Sequence, residues 1–134
     1  MIEIPVSMLL APGLRSTLSK LSACPDLGTK VTYRLMRTVS QVDSKARDAL
    51  RRLEVLRSMY VQTDDGGTYL LNEDQTEYLW KDGVDPDMAK SDIEAFGGSS
   101  VDIPQALFDL DDFAPAKLTA MDMAAIEPLY TPLE

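Results

Sequence analysis

The sequence predicts a mainly α-helical protein: a long central helix with a short N-terminal helix, a minor β element and an extended C-terminal arm. Three observations predict it. Leu35, Val39, Val42, Ala46, Ala49, Leu53, Leu56 and Tyr60 recur at spacings of 4, 3, 4, 3, 4, 3 and 4, the period of a narrow helical packing stripe. No Pro or Gly interrupts residues 29–60, whereas both residues punctuate the flanks on either side. From Gly97 onward, apolar residues are scattered among acids with no sustained helical period. Such a stretch has too little regular structure to fold alone and too many apolar anchors to be an idle linker.

In order, residues 7–21 read as a short helix whose Leu10, Leu14, Leu18 and Leu21 share one face. Ser7 is a possible cap, but Pro12-Gly13 disfavours a helix interior, so the helix is expected to start near Ala11, behind a short ordered arm. Pro25-Asp26-Leu27-Gly28 is turn chemistry, and so short a link favours an antiparallel pair with the long helix, for which Thr29 is a cap. That helix, from Thr29 to Tyr60, would be roughly 45 Å long.

Residues 63–67 (Thr-Asp-Asp-Gly-Gly) form a loop, and residues 68–71 (Thr-Tyr-Leu-Leu) a short β-prone run. Glu77-Tyr78-Leu79-Trp80 fits the second arm of a hairpin. Asn72-Glu73-Asp74-Gln75 has the form of a capping box, however, and favours a helix from Glu73 to about Lys81. Pro86-Asp87 opens a further short helix through Phe96, with Met88, Ile93 and Phe96 as its apolar contacts, and Gly97-Gly98 stops it. Val101-Asp102-Ile103 reads as extended, and Thr119–Asp122 caps a final two-turn helix that ends before Pro128. These elements divide into a helical domain, 1–98, and an acidic extended arm, 99–134.

Composition limits the chemistry. The 134 residues contain no histidine and one cysteine, Cys24. Histidine-dependent triads, imidazole metal sites, internal disulfides and thiolate cages are therefore excluded. Cys24 lacks a basic cluster that would activate its thiol. The acidic run Asp109-Leu110-Asp111-Asp112 carries Ala114 and Ala120 where a calcium loop starting at Asp109 needs Gly and Glu. No phosphate-binding glycine loop or nucleophile elbow is present. The residues therefore point away from an enzyme and imply no cofactor. There is no apolar run long enough to span a bilayer, and the N-terminus lacks the form of a signal peptide.

Charge is divided unevenly. The chain carries −9 overall, with net zero in residues 1–29, +5 in 30–61 and −14 in 62–134. Arg47, Arg51 and Arg52 are the electrostatic candidates on the basic helix. They suit pairing with an acidic surface, in the same chain or a neighbouring one, better than nucleic acid, which the overall charge repels.

Three patches give a resemblance. They are Leu9-Leu10-Ala11-Pro12-Gly13-Leu14, the helix opening Lys30-Val31-Thr32-Tyr33-Arg34-Leu35, and the ending Leu118 to Leu129 (Leu-Thr-Ala-Met-Asp-Met-Ala-Ala-Ile-Glu-Pro-Leu). In these patches, and in its order of elements, the chain resembles a group of small proteins encoded by tailed bacteriophages. The resemblance implies a virion structural or accessory protein, such as a capsid cement or a head or tail component, assembled in the host cytoplasm beside other virion subunits or copies of itself. It brings no catalytic residues. On this reading Leu35, Val39, Val42, Leu53 and Leu56 form the platform, while Ile103, Leu107, Phe108, Phe113 and Leu129 clasp a neighbour. Deleting residues 99–134 would then abolish incorporation and spare the helical signal. The competing expectation is an acidic inhibitor, or nucleic-acid mimic, that binds a host protein.

Overall fold

The structure, a computed structural model, describes residues 1–131. It is mainly helical. Strand β1 (Ile2–Pro5) leads into a single turn α1 (Val6–Leu9), then α2 (Pro12–Ser22) and the long α3 (Thr29–Tyr60). After a small β-rich excursion come α4 (Pro86–Gly97), strand β2 (Ser100–Ile103) and α5 (Ala120–Ala125). Short 3-10 turns at Pro25–Leu27, Leu110–Ala116 and Glu127–Leu129 complete the order.

The N-terminal helix starts where Pro12 allows it. Proline fits the first turn, where its missing N–H costs nothing, and Ala11 precedes it in an extended conformation. Ser7 does not cap this helix; it lies inside α1. Gly13 has a packing reason as well, because a Cβ there would sit 3.4 Å from Ala125 Cβ on α5. Gly28 opens α3 with φ of 84°, a left-handed conformation that glycine adopts without strain. Thr29 is thus the first helical residue and not the cap. The helix pair is antiparallel: Arg15 of α2 bridges Asp43 at 3.2 Å, while Val6, further back in the chain, lines a cavity with Ala49 and Arg52.

Leu35, Thr38, Val42, Ala46 and Ala49 form the buried face of α3 over its first two-thirds. The small residues at 46 and 49 let α1 and β2 approach closely. Thr38 is buried and satisfied, its hydroxyl lying 2.9 Å from the Arg34 carbonyl and 2.7 Å from Gln105 Oε1. Val39 is half-buried against the same core. Leu53 and Leu56 are also half-buried, because the main core ends near Ala49 and the β-rich excursion and α4 cover the rest of the helix only in part.

The arm packs in cis. β2 pairs antiparallel with β1, setting Ile2 opposite Ile103 and Ile4 opposite Val101. Ile2, Ile4 and Ile103 are fully buried. Beyond β2, Phe108, Phe113, Ile126 and Leu129 enter the same core. The Phe108 and Phe113 ring centroids are 4.8 Å apart, and Tyr130 meets Phe113 edge-on at 5.7 Å. Arg34 locks this segment by donating to the Ala106 and Leu107 carbonyls at 3.0 Å each, with its guanidinium 4.5 Å above the Phe108 ring. Phe108 donates its N–H to Leu129 and accepts at its carbonyl from Thr131, so the chain's end is stitched back onto the arm. Residues on both sides of the 98/99 boundary therefore feed one core. Pro132, Leu133 and Glu134, the last residues of the expected tail, lie outside the described residues.

The final helix keeps its capping box. Thr119 Oγ1 accepts from the Asp122 N–H at 3.1 Å and Asp122 Oδ2 accepts from the Thr119 N–H at 3.1 Å. Lys20 of α2 also reaches Asp122, at 2.7 Å. The Lys20 hydrogen bond, followed by the bonds from Thr119, holds the Asp122 carboxyl below the ordinary carboxylate range. A carboxyl depressed in the folded state stabilises the fold above its unfolded pKa, and that contribution is lost as pH falls through the depressed value. Asp122→Asn is accordingly expected to flatten the decline in Tm below about pH 4. An acid limb identical to wild type would exclude Asp122 as a source of that decline.

The excursion between α3 and α4 differs from expectation. Residues 73–81 form no helix; they belong to a hairpin in which Leu71 is bridged to Tyr78. The reason lies in Asn72, whose Oδ1 accepts from the Thr76 N–H at 3.0 Å and so closes a turn. Gln75 takes φ of 56° there, which no continuing helix permits. The side chain that suggested a helix cap caps a turn instead.

Candidate protein-interaction surface

Three short segments, residues 61–63, 69–71 and 78–80, follow the end of α3. Their bridges are Val61 to Trp80, Thr63 to Tyr69 and Leu71 to Tyr78. The Gln62 N–H donates to Leu79, the Leu79 N–H to Leu70 and the Leu70 N–H to Gln62, at 2.8, 2.9 and 2.9 Å. This ring of bonds leaves each segment paired with both others, so the small sheet has little open edge. Alternation within the segments sends Tyr69, Leu71, Tyr78 and Trp80 to one face. Tyr69 meets Tyr78 edge-on at 6.0 Å, and Tyr78 meets Trp80 edge-on at 6.1 Å.

That aromatic face and α4 enclose an open groove of about 770 Å³. Tyr69, Leu71, Tyr78 and Trp80 form one wall, and Lys90, Ile93 and Glu94 line the other. Polar contacts fix the walls. Lys90 Nζ lies 2.6 Å from Glu77 Oε1, Tyr69 donates its hydroxyl proton to Glu54 Oε2 at 2.8 Å, and Tyr60 donates to Asp92 Oδ2 at 2.7 Å. These contacts set the titration behaviour. The Glu77 bond raises the Lys90 pKa, the Asp92 bond raises that of Tyr60, and burial followed by the Glu54 bond raises that of Tyr69. Each shift favours the form already dominant at neutral pH. These three groups are therefore poised as fixed donors and charges, not as acids or bases matched to neutral pH.

Of the sequence-predicted residues, Leu35 and Val42 are buried, and Val39, Leu53 and Leu56 are half-buried on the same helix. Among the arm residues, Ile103, Phe108, Phe113 and Leu129 are buried in the chain's own core, and Leu107 is half-buried. The four buried residues cannot also clasp a neighbour without unfolding, and this corrects their assignment as partner contacts. The physical cause is the pairing of β1 with β2, which draws the arm inward. Arg47, Arg51 and Arg52 are exposed on α3. Arg51 lies 3.9 Å from Asp48, and among the described residues Arg47 and Arg52 have no ion-pair partner. The expected pairing of basic helix with acidic arm is met in cis by Arg34, 3.9 Å from Asp112.

Sequence reasoning missed the groove. Its signal was present as apolar alternation at 69 and 71 and again at 78 and 80, but the capping-box reading of residues 72–75 overrode it. Among the described residues no group of three or more His, Cys, Asp or Glu side chains is placed to hold a metal, and no helix is long and apolar enough to cross a membrane. Cys24 is half-buried against the core. Comparison with family models, curated proteins and solved structures finds no match to this chain.

Proposed function

We propose that this chain is a non-enzymatic subunit of a tailed-phage particle that binds other virion proteins or copies of itself. The observation that carries the binding role is the aromatic groove. A rigid Tyr-Tyr-Trp face opposite a helix is the kind of surface that anchors a partner, since aromatic side chains bury much area at low entropic cost. The phage assignment rests on the resemblance of the three sequence patches. The long helix serves as the platform that carries the groove at its C-terminal end. The clasp expected of the arm passes to this groove, because the arm's anchors are used internally.

The net charge of −8 over residues 62–98 favours the second reading, an acidic inhibitor of a host protein. One experiment separates the two. Quantitative mass spectrometry of density-purified particles is expected to find the chain at a fixed ratio to the major capsid or tail protein. Leu71→Asp, on the groove wall and 43 % exposed in the free chain, should reduce that ratio about tenfold, as a loss of roughly 1.4 kcal/mol in binding would, with Tm unchanged. Abundance in infected cells together with absence from particles would reject the virion role and favour the inhibitor.

A further inference from the structure

The groove lies in the most acidic part of the molecule, and the most basic part has its outward face free. Opposite the buried Leu35, Val42 and Ala49, α3 presents Arg37, Arg47 and Arg51 at helical spacing on its exposed side. Two large apolar side chains, Val55 and Met59, continue that side at 56 % and 55 % exposure. An exposed helix face that runs from arginines into large apolar side chains offers a groove both charge and apolar area. The acidic segment, residues 62–98, carries ten acids against two bases. Within it, Glu94 lines the groove and has no ion-pair partner among the described residues.

Resting on the reading that the groove binds protein, we propose that its occupant is a second copy of this chain, which inserts the outer face of α3. Val55 and Met59 would lie against Tyr78 and Leu71, and Arg47 and Arg51 against the rim at Glu94, since Glu77 is already paired with Lys90. Charge complementarity argues for a second copy: the chain carries both signs in separate places, and of the bases on α3 only Arg34 pairs with the arm in cis among the described residues. The two surfaces also adjoin, because Glu54 on α3 accepts from Tyr69 in the groove wall. Two copies related by a two-fold axis can therefore exchange them reciprocally, burying both pairs in one contact.

Charge swapping tests this. Sedimentation velocity of the wild-type chain at about 100 mM salt, where charges beyond roughly 10 Å are screened, should show association that rises with concentration and is reversed near 1 M salt. The double variant Arg47→Glu/Arg51→Glu and the variant Glu94→Lys should each remain monomeric, since like charges now face each other. Mixed at equal concentration they should associate again, because every contact once more joins opposite signs. Recovery also shows that both variants are folded. A wild-type chain that stays monomeric at every concentration overturns the proposal, as does a mixture that fails to recover. A monomeric wild type that still enters particles would overturn self-association alone and leave the virion role standing.

Discussion

Removal of residues 99–134 is expected to abolish cooperative folding instead of releasing an intact helical platform. The truncation deletes β2, the only strand paired with β1 among the described residues, together with Ile103, Phe108, Phe113, Ile126 and Leu129. Fully burying one such side chain is worth about 1.5–3 kcal/mol. Five of them are worth roughly 7–15 kcal/mol by the same measure, comparable to the about 5–15 kcal/mol of net stability of a whole domain. Ile2, Ile4, Leu14, Leu18 and Leu35 would be left facing water. Urea titration followed by circular dichroism should show a broad, shallow loss of a reduced helical signal, accompanied by dye binding to exposed apolar surface. A sharp transition with near-wild-type ellipticity would refute this and restore the arm as a separable clasp. The expectation that truncation spares the helical signal is thereby replaced, because the arm supplies five of the twelve largest fully buried side chains among the described residues.

Phe108→Ala is expected to be the most damaging single truncation, costing about 3–5 kcal/mol. Phe108 is fully buried, packs on Phe113 and lies beneath the Arg34 guanidinium. Removing the ring leaves a cavity that the surrounding backbone cannot readily close. The Phe108 N–H and carbonyl are both tied to the chain's end, at Leu129 and Thr131. The loss should appear as a lower midpoint in urea at unchanged slope. Arg34→Ala should cost less, since the guanidinium is partly solvated and its contacts are individually modest. Equal effects of the two substitutions, or a Phe108→Ala cost below about 1 kcal/mol, would show that the arm is held elsewhere.

The two predictions share one physical feature. The stability of the molecule depends on contacts between residues far apart in the chain, Ile2 with Ile103 between β1 and β2 and Arg34 with Ala106 between α3 and the arm. The aromatic groove belongs to none of them and stands outside the main core, among residues 54–94. A surface variant there can therefore change binding without changing the fold, as Leu71→Asp is designed to show.

The sequence by itself determined what is local. The unbroken seam from Leu35 to Tyr60 specified α3, because a 3–4 repeat of apolar residues makes a stripe only on a helix. Pro12, Pro86 and the Thr119–Asp122 box marked helix starts through the hydrogen bonds that each can or cannot make. The absence of histidine and the separation of charge along the chain were equally legible. Only the tertiary structure decided what those pieces meet. Ile2 and Ile4 alternate too briefly to name a strand partner, and nothing near them in sequence indicates Ile103. The arm's anchors look alike whether they bury in cis or in trans, since apolar surface carries no address. The choice of hairpin over helix at residues 72–81 fell to Asn72 and to the Tyr69, Tyr78 and Trp80 rings. A polar side chain that can cap either a helix or a turn is decided by which apolar faces the rest of the chain allows to assemble.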